Sequence, residues 1–96
     1  MKTMDCKNVI FTGHAIRQMF QRKISKDDVR GVINKGEAIF NYLDDTPFPS
    51  MLFVGFIRRR PIHVVVAYDA IEKIGYVITA YEPDAKLWTE DFRRRK

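Results

Sequence analysis

The spacing of apolar and polar positions divides the chain into a helical first third and a strand-rich remainder. A short apolar run at 9–12 reads as an edge strand, after which Thr12 is placed to cap a helix over 13–22. Ile16, Met19 and Phe20 recur at helical spacing and define the expected buried face. His14, Arg17 and Gln21 then fall together on a flank away from it. The second helix is better marked. Ser25 and Asp28 stand at the spacing of a capping box, with Ile24 and Val29 as its hydrophobic staple. Val29, Val32 and Ile33 form the buried stripe, and Lys35 with Gly36 ends the helix. Gly31 inside it costs about 1 kcal/mol relative to Ala, which suggests a close helix contact there.

After Gly36 the period changes to two. Residues 37–43 (EAIFNYL) read as a strand with Ala38, Phe40 and Tyr42 on one face and Ile39 with Leu43 on the other. Two prolines set the loop 44–50, and 51–57 is a further strand broken by Gly55. Three arginines make a turn into a strand over 62–68. A last strand over 76–81 is stopped by Pro83, with Thr79 and Tyr81 expected on one face. From Asp84, as N-cap, the tail reads as a short helix burying Leu87, Trp88 and Phe92. Consecutive strands with short connections favour antiparallel pairing. The expected fold is α+β: two N-terminal helices on an antiparallel sheet of about four strands, closed by a short C-terminal helix, in one domain over 1–96.

Composition narrows the setting. A chain of 96 residues with 46% hydrophobic content and seven Phe has material for one core and is not a disordered polymer. It has no apolar run of membrane-spanning length, and its charged N-terminus does not read as a signal peptide. A lone Cys6 provides neither a disulfide nor a metal site, which points to a cytoplasmic protein. The net charge of +5 is concentrated at Arg58–Arg60 and in the terminal run 93–96. Clustered arginine on a small basic protein favours a polyanion, RNA or DNA being the usual one. A solvated turn and a frayed tail are the plain alternative.

Glycine-rich phosphate loops, HExxH, CxxC and GxSxG are all missing, and two histidines with one cysteine make no typical zinc site without added carboxylates. What is left is His14, His63, Tyr81 and arginine. These groups suit metal-free cleavage of RNA, in which the substrate's 2′-OH is the nucleophile. Imidazoles move the protons, each such transfer contributing about 10²–10⁴-fold. Arginine holds the phosphate and its extra charge. The alternatives stay open: His63 as a core imidazole, Tyr81 as a half-buried strand aromatic, and His14 with Arg17 as a solvated helix start.

Four strings, HAIRQMFQRKIS, GEAIFNYLDDTPFPSMLFVGF, RRPIHVVVAYD and ITAYEPDAKLWTEDFRRR, run from His14 to Arg95. Together they resemble an uncharacterised prokaryotic domain family similar in layout to RelE- and MqsR-like ribonuclease toxins. That resemblance implies a RelE/barnase/EndoU-like fold and an endoribonuclease of a toxin–antitoxin pair. The implied partners are RNA, including ribosome-bound mRNA, and a small zinc-finger-type antitoxin, with no cofactor, metal or membrane. By the same resemblance the catalytic positions are His14, Arg17, His63, Thr79 and Tyr81, and Asp84 with Trp88 closes the domain. Arg22, Arg58, Arg59, Arg60, Arg93 and Arg94 are the expected phosphate contacts. Lys23 departs from the family pattern, which has Gly before Ile24. His14 and Arg17 are expected to face one cleft with His63 and Tyr81. The competing functional readings are a non-catalytic RNA- or protein-binding module and, less favoured, a small-molecule binder on the His/Tyr sheet face.

Overall fold

A computed structural model describes residues 6–96. The elements follow the order β1 (Asn8–Phe11), α1 (Gly13–Arg22), α2 (Lys26–Lys35), β2 (Glu37–Tyr42), β3 (Ser50–Ile57), β4 (Arg60–Asp69) and β5 (Ile74–Tyr81). The strands form a single sheet in the order β1-β5-β4-β3-β2. β2 through β5 pair antiparallel, as their short connections require, whereas β1 pairs parallel with β5. The sheet is therefore five-stranded and mixed, not a four-stranded antiparallel one. Parallel neighbours need a long crossover, and here nearly the whole domain lies between β1 and β5.

Both helices pack on one face of the sheet. Their contact builds the core from Ala15, Met19, Ile24, Val29, Val32 and Ile33 against Phe53, Ile62, Val64, Val66, Val77 and Ala80. α2 has the expected capping box, with Ser25 and Asp28 each accepting the other's backbone N–H. Its close approaches to the sheet occur at the C-cap Gly36, against the Val54 carbonyl, and at Gly55, where a Cβ would stand 3.0 Å from a Val32 methyl, and not at Gly31. α1 is oriented differently from expectation. Ala15 and Met19 are buried, while Ile16 is 42% and Phe20 86% exposed. The small Ala15 lets the helix lie close on β5, which rotates the larger apolar pair outward.

Two irregularities break the simple alternation of side chains. The register between β2 and β3 slips between Ala38 and Phe40. Ala38 packs against the helix-side core, and Phe40 meets Trp88 on the other face. These two residues therefore do not share a face. Between β4 and β5 the pairing steps from Val65↔Thr79 to Val66↔Val77, leaving Ile78 as an extra residue in β5.

No helix forms after β5. Asp84 accepts the Lys86 N–H, and its own carbonyl holds Leu87 and Trp88 in one tight turn. The chain then folds back, with Thr89 and Arg94 bonded across and Trp88 bridged to Arg95. Asp91 accepts from both the Thr89 hydroxyl and the Arg93 N–H. Such local side-chain bonds compete with helical ones. The segment 83–96 instead lies on the sheet face that the helices leave open.

Five described non-glycine residues have positive φ: Lys23, Arg58, Arg59, Lys73 and Phe92; no described glycine does. Lys23 is the left-handed C-cap of α1, and Ile24 completes the cap by bonding back to Met19. Positive φ at both Arg58 and Arg59 gives β3 and β4 the tight turn that matches strand twist.

Candidate functional site

His63 sits in β4 opposite Tyr81 of β5 and Val54 of β3. Ile62 and Val64 point to the helices, so by alternation His63 points to the open face. The segment 83–96 covers it completely, leaving 0% exposure. Its Nε2 lies 2.8 Å from the Phe92 carbonyl, its Nδ1 3.3 Å from the Tyr81 hydroxyl, and its ring meets Trp88 edge-on at 4.5 Å. A carbonyl only accepts, so Nε2 carries the proton and Nδ1 accepts from Tyr81. Burial lowers the His63 pKa, and the Phe92 carbonyl partly offsets that. Burial raises the Tyr81 pKa, the neighbouring Tyr42 adds to the rise, and Arg95 opposes it. His63 is thus a neutral imidazole sealed between the sheet and the closing segment.

His14 and Arg17 lie elsewhere. Both are exposed on α1, whose Ala15 and Met19 contact the opposite face of the sheet. The single cleft expected for His14, Arg17, His63 and Tyr81 does not form, because the sheet stands between the two pairs. Thr79 belongs with α1: its hydroxyl donates to the Gln18 side chain. Gln18 had no signal of its own in the sequence, although its position one turn after His14 places it on the same flank.

The arginines divide into engaged and available groups. Arg60 donates to Glu82 at 2.7 Å and to the carbonyls of Arg22 and Lys23 at 2.6 and 2.9 Å. It ties the β3–β4 turn to the end of α1. Arg93 is held by Glu37 at 2.8 Å and by Asp91. Both are therefore in structural ion pairs. Arg58 is 82% exposed and reaches Asp28 only at 3.8 Å, a surface pair of little energetic weight. Arg59 and Arg94 are exposed. Arg94 lines a concavity of about 550 Å³ within the closing segment, together with Thr89, Glu90, Asp91 and Lys96.

Through the Arg60 tie, residues 35 or more apart in sequence converge. The turn carrying Arg58 and Arg59 is thereby held beside Arg22 and Lys23 at the C-terminal end of α1, with Arg58 paired to Asp28 and Arg60 to Glu82. Arg22 also points a guanidinium nitrogen at the Ala80 carbonyl of β5, 3.4 Å away. From there the exposed flank of α1 leads through Gln21 and Arg17 to His14 in the first turn, a path of about 12 Å. The resulting site is a basic end joined to an accessible imidazole along one helix.

Among the described residues there is no cluster of three or more His, Cys, Asp or Glu arranged to hold a metal ion. No described helix is long and apolar enough to cross a membrane. Comparison with curated proteins and with solved structures returns no significant match. A family model does match, over residues 11–82. It takes in both helices and β2 through β5, and ends one residue after β5, before the closing segment over His63. The chain belongs to the family described as a domain of unknown function, DUF4258.

Proposed function

We propose that this protein acts on RNA as a toxin-type endoribonuclease, cleaving through the substrate 2′-OH without a metal in the chemistry. The observation that carries the reading is the convergence of Arg22, Lys23, Arg58 and Arg59 at one end of α1, continuous with exposed Arg17 and His14. Fixed cations there hold successive phosphates. Arg17 sits beside the imidazole to meet charge developing on phosphorus; His14 takes the 2′-OH proton as that oxygen attacks phosphorus, and the departing 5′-oxygen takes its proton from solvent water. In this arrangement His63 and Tyr81 position the closing segment and touch no phosphate. The resemblance to RelE- and MqsR-like toxins supports the same reading and adds a small zinc-finger-type antitoxin as the restraining partner.

A second reading, RNA binding without cleavage, is favoured by one feature: the sheet histidine is fully covered, so only one imidazole is accessible. End-group analysis separates the two. Antitoxin-free protein, alone and with ribosomes, is incubated with RNA in EDTA and with a matched substrate carrying a 2′-deoxy nucleotide at the cut site. Expected products carry a 2′,3′-cyclic phosphate or 3′-phosphate and a 5′-OH, and the deoxy substrate resists cutting. His14→Asn should lower turnover by about 10²–10⁴-fold with little change in binding. Cutting of the deoxy substrate refutes the mechanism. Salt-sensitive binding with no cutting under either condition establishes the second reading.

A further inference from the structure

We infer that the apolar hollow beside the start of α1 is a stacking subsite for one unpaired nucleobase, which makes single-stranded RNA the substrate class. The hollow has a volume of about 240 Å³ and is lined by Thr12, Pro47, Phe48, Ala67, Tyr76 and Ile78. Ala67 pairs with Tyr76 across β4 and β5, on the face of the sheet away from the helices. Its position is four residues along β4 from His63, roughly 13 Å, so it is separate from the covered imidazole. The rings of Phe48 and Tyr76 lie parallel, 2° apart in tilt with centroids 5.7 Å apart. Phe48 is thus stacked on Tyr76, both partly exposed, and Ile78, 39% exposed, adjoins them in the lining.

Three observations choose the occupant. First, an unpaired base can extend an aromatic stack such as that of Phe48 on Tyr76, and such stacking tolerates any base. Second, the lining presents almost no polar atoms, so the hollow lacks the donors and acceptors that a base-specific or peptide site would carry. Third, the hollow reaches round to the sheet edge at Thr12, just past the end of edge strand β1, where the chain turns into α1. Thr12 caps α1 and bonds the Val77 carbonyl, and His14 follows two residues later. A base seated here brings its sugar and phosphate to the first turn of α1. The strand then continues along Arg17 toward Arg22 and Lys23, at the other end of the helix. A duplex cannot use the hollow, because its bases are already stacked and paired.

This assignment rests on the RNA reading above, and the experiment keeps the two failures apart. A short single-stranded RNA is titrated by fluorescence anisotropy at several salt concentrations, beside its duplex and a series carrying one abasic site at each position. Phe48→Leu keeps an apolar side chain but removes the ring, Phe48→Ala removes both, and melting curves check that each variant is folded. Loss of one stacked base should weaken binding by about 5- to 150-fold. That loss should appear at one abasic position in the native protein and should be absent in both Phe48 variants. NMR of the native protein with a nucleoside monophosphate should shift the Phe48 and Tyr76 rings and the Ile78 methyls. Salt-dependent binding that is indifferent to abasic sites and to both substitutions overturns the subsite while leaving RNA as the ligand. Equal affinity for duplex and single strand overturns it too. No salt-dependent RNA binding by the native protein removes the RNA reading and the subsite with it.

Discussion

Replacing His63 by Leu tests whether this imidazole is part of the architecture. Leucine approximately keeps the buried volume but supplies neither ring nitrogen. The Phe92 carbonyl, bonded at 2.8 Å, loses its donor, and leaving a buried polar group unpaired costs about 1–3 kcal/mol. The Tyr81 hydroxyl is only half-buried and its bond is long at 3.3 Å, so its share is small. A loss of about 2 kcal/mol is expected, and each kcal/mol moves the melting midpoint of a domain this size by about 4–8 °C. The pH dependence is more diagnostic. Burial depresses the His63 pKa, so on acidification the unfolded chain takes up a proton that the folded chain refuses. The His63 contribution is therefore full above the ordinary histidine value of about 6.5. It falls by about 1.4 kcal/mol per pH unit between that value and the depressed one. The native protein should lose its advantage over His63→Leu as pH falls through this window. Trp88, the single tryptophan, lies against the His63 ring and reports the transition by fluorescence during urea unfolding. An advantage that is absent at pH 7.5, or that grows on acidification, refutes the reasoning.

Removing the side chain in Arg60→Ala cuts the tie between the β3–β4 turn and the end of α1. About 1–2 kcal/mol should be lost, the released carbonyls being open to water, and RNA affinity should fall beyond the loss of one charge because the basic end loosens; unchanged stability and a one-charge salt effect would sink this. Gly36→Ala should destabilise by about 1–3 kcal/mol or more in chemical denaturation, since its Cβ would stand 2.4 Å from both the Val32 and Val54 carbonyl oxygens. Lys23→Gly should stabilise slightly. It relieves a left-handed residue at about 1–2 kcal/mol against about 0.4–1 kcal/mol of added chain entropy, and a lowered melting point would contradict that balance.

The sequence made α2 readable because capping box, staple and stripe all agreed. α1 was found at its correct limits but rotated, since two apolar faces were available and its pattern does not favour the small Ala15. Strand locations were legible for the same local reasons, but faces were not wherever a register slip intervened, as at Ala38/Phe40. The parallel pairing of β1 with β5 is a long-range choice with no local signature. The closing segment carried the aromatic spacing of a helix, and its folding back is set by Asp91, Thr89 and contacts with the distant sheet. At the site, the basic character of Arg22, Arg58 and Arg59 was legible, whereas the structural engagement of Arg60 and Arg93 depends on partners that only folding supplies.

The left-handed corners have a further consequence. Four of the five described non-glycine residues with positive φ are Lys or Arg, and no described glycine occupies such a position. At Arg58–Arg59, Asn-Gly would fit the turn with less strain. This chain instead presents two guanidinium groups at a hairpin tip, and Lys23 marks a helix end in the same way. Each of these corners gives up some backbone ease to place a cation at a turn or a helix end. An optimiser seeking thermal stability alone would convert Arg58–Arg59 to Asn-Gly and Lys23 to Gly. The product would be a tougher scaffold with less charge at the tip, and comparing its melting point with its hold on a polyanion would measure the exchange directly.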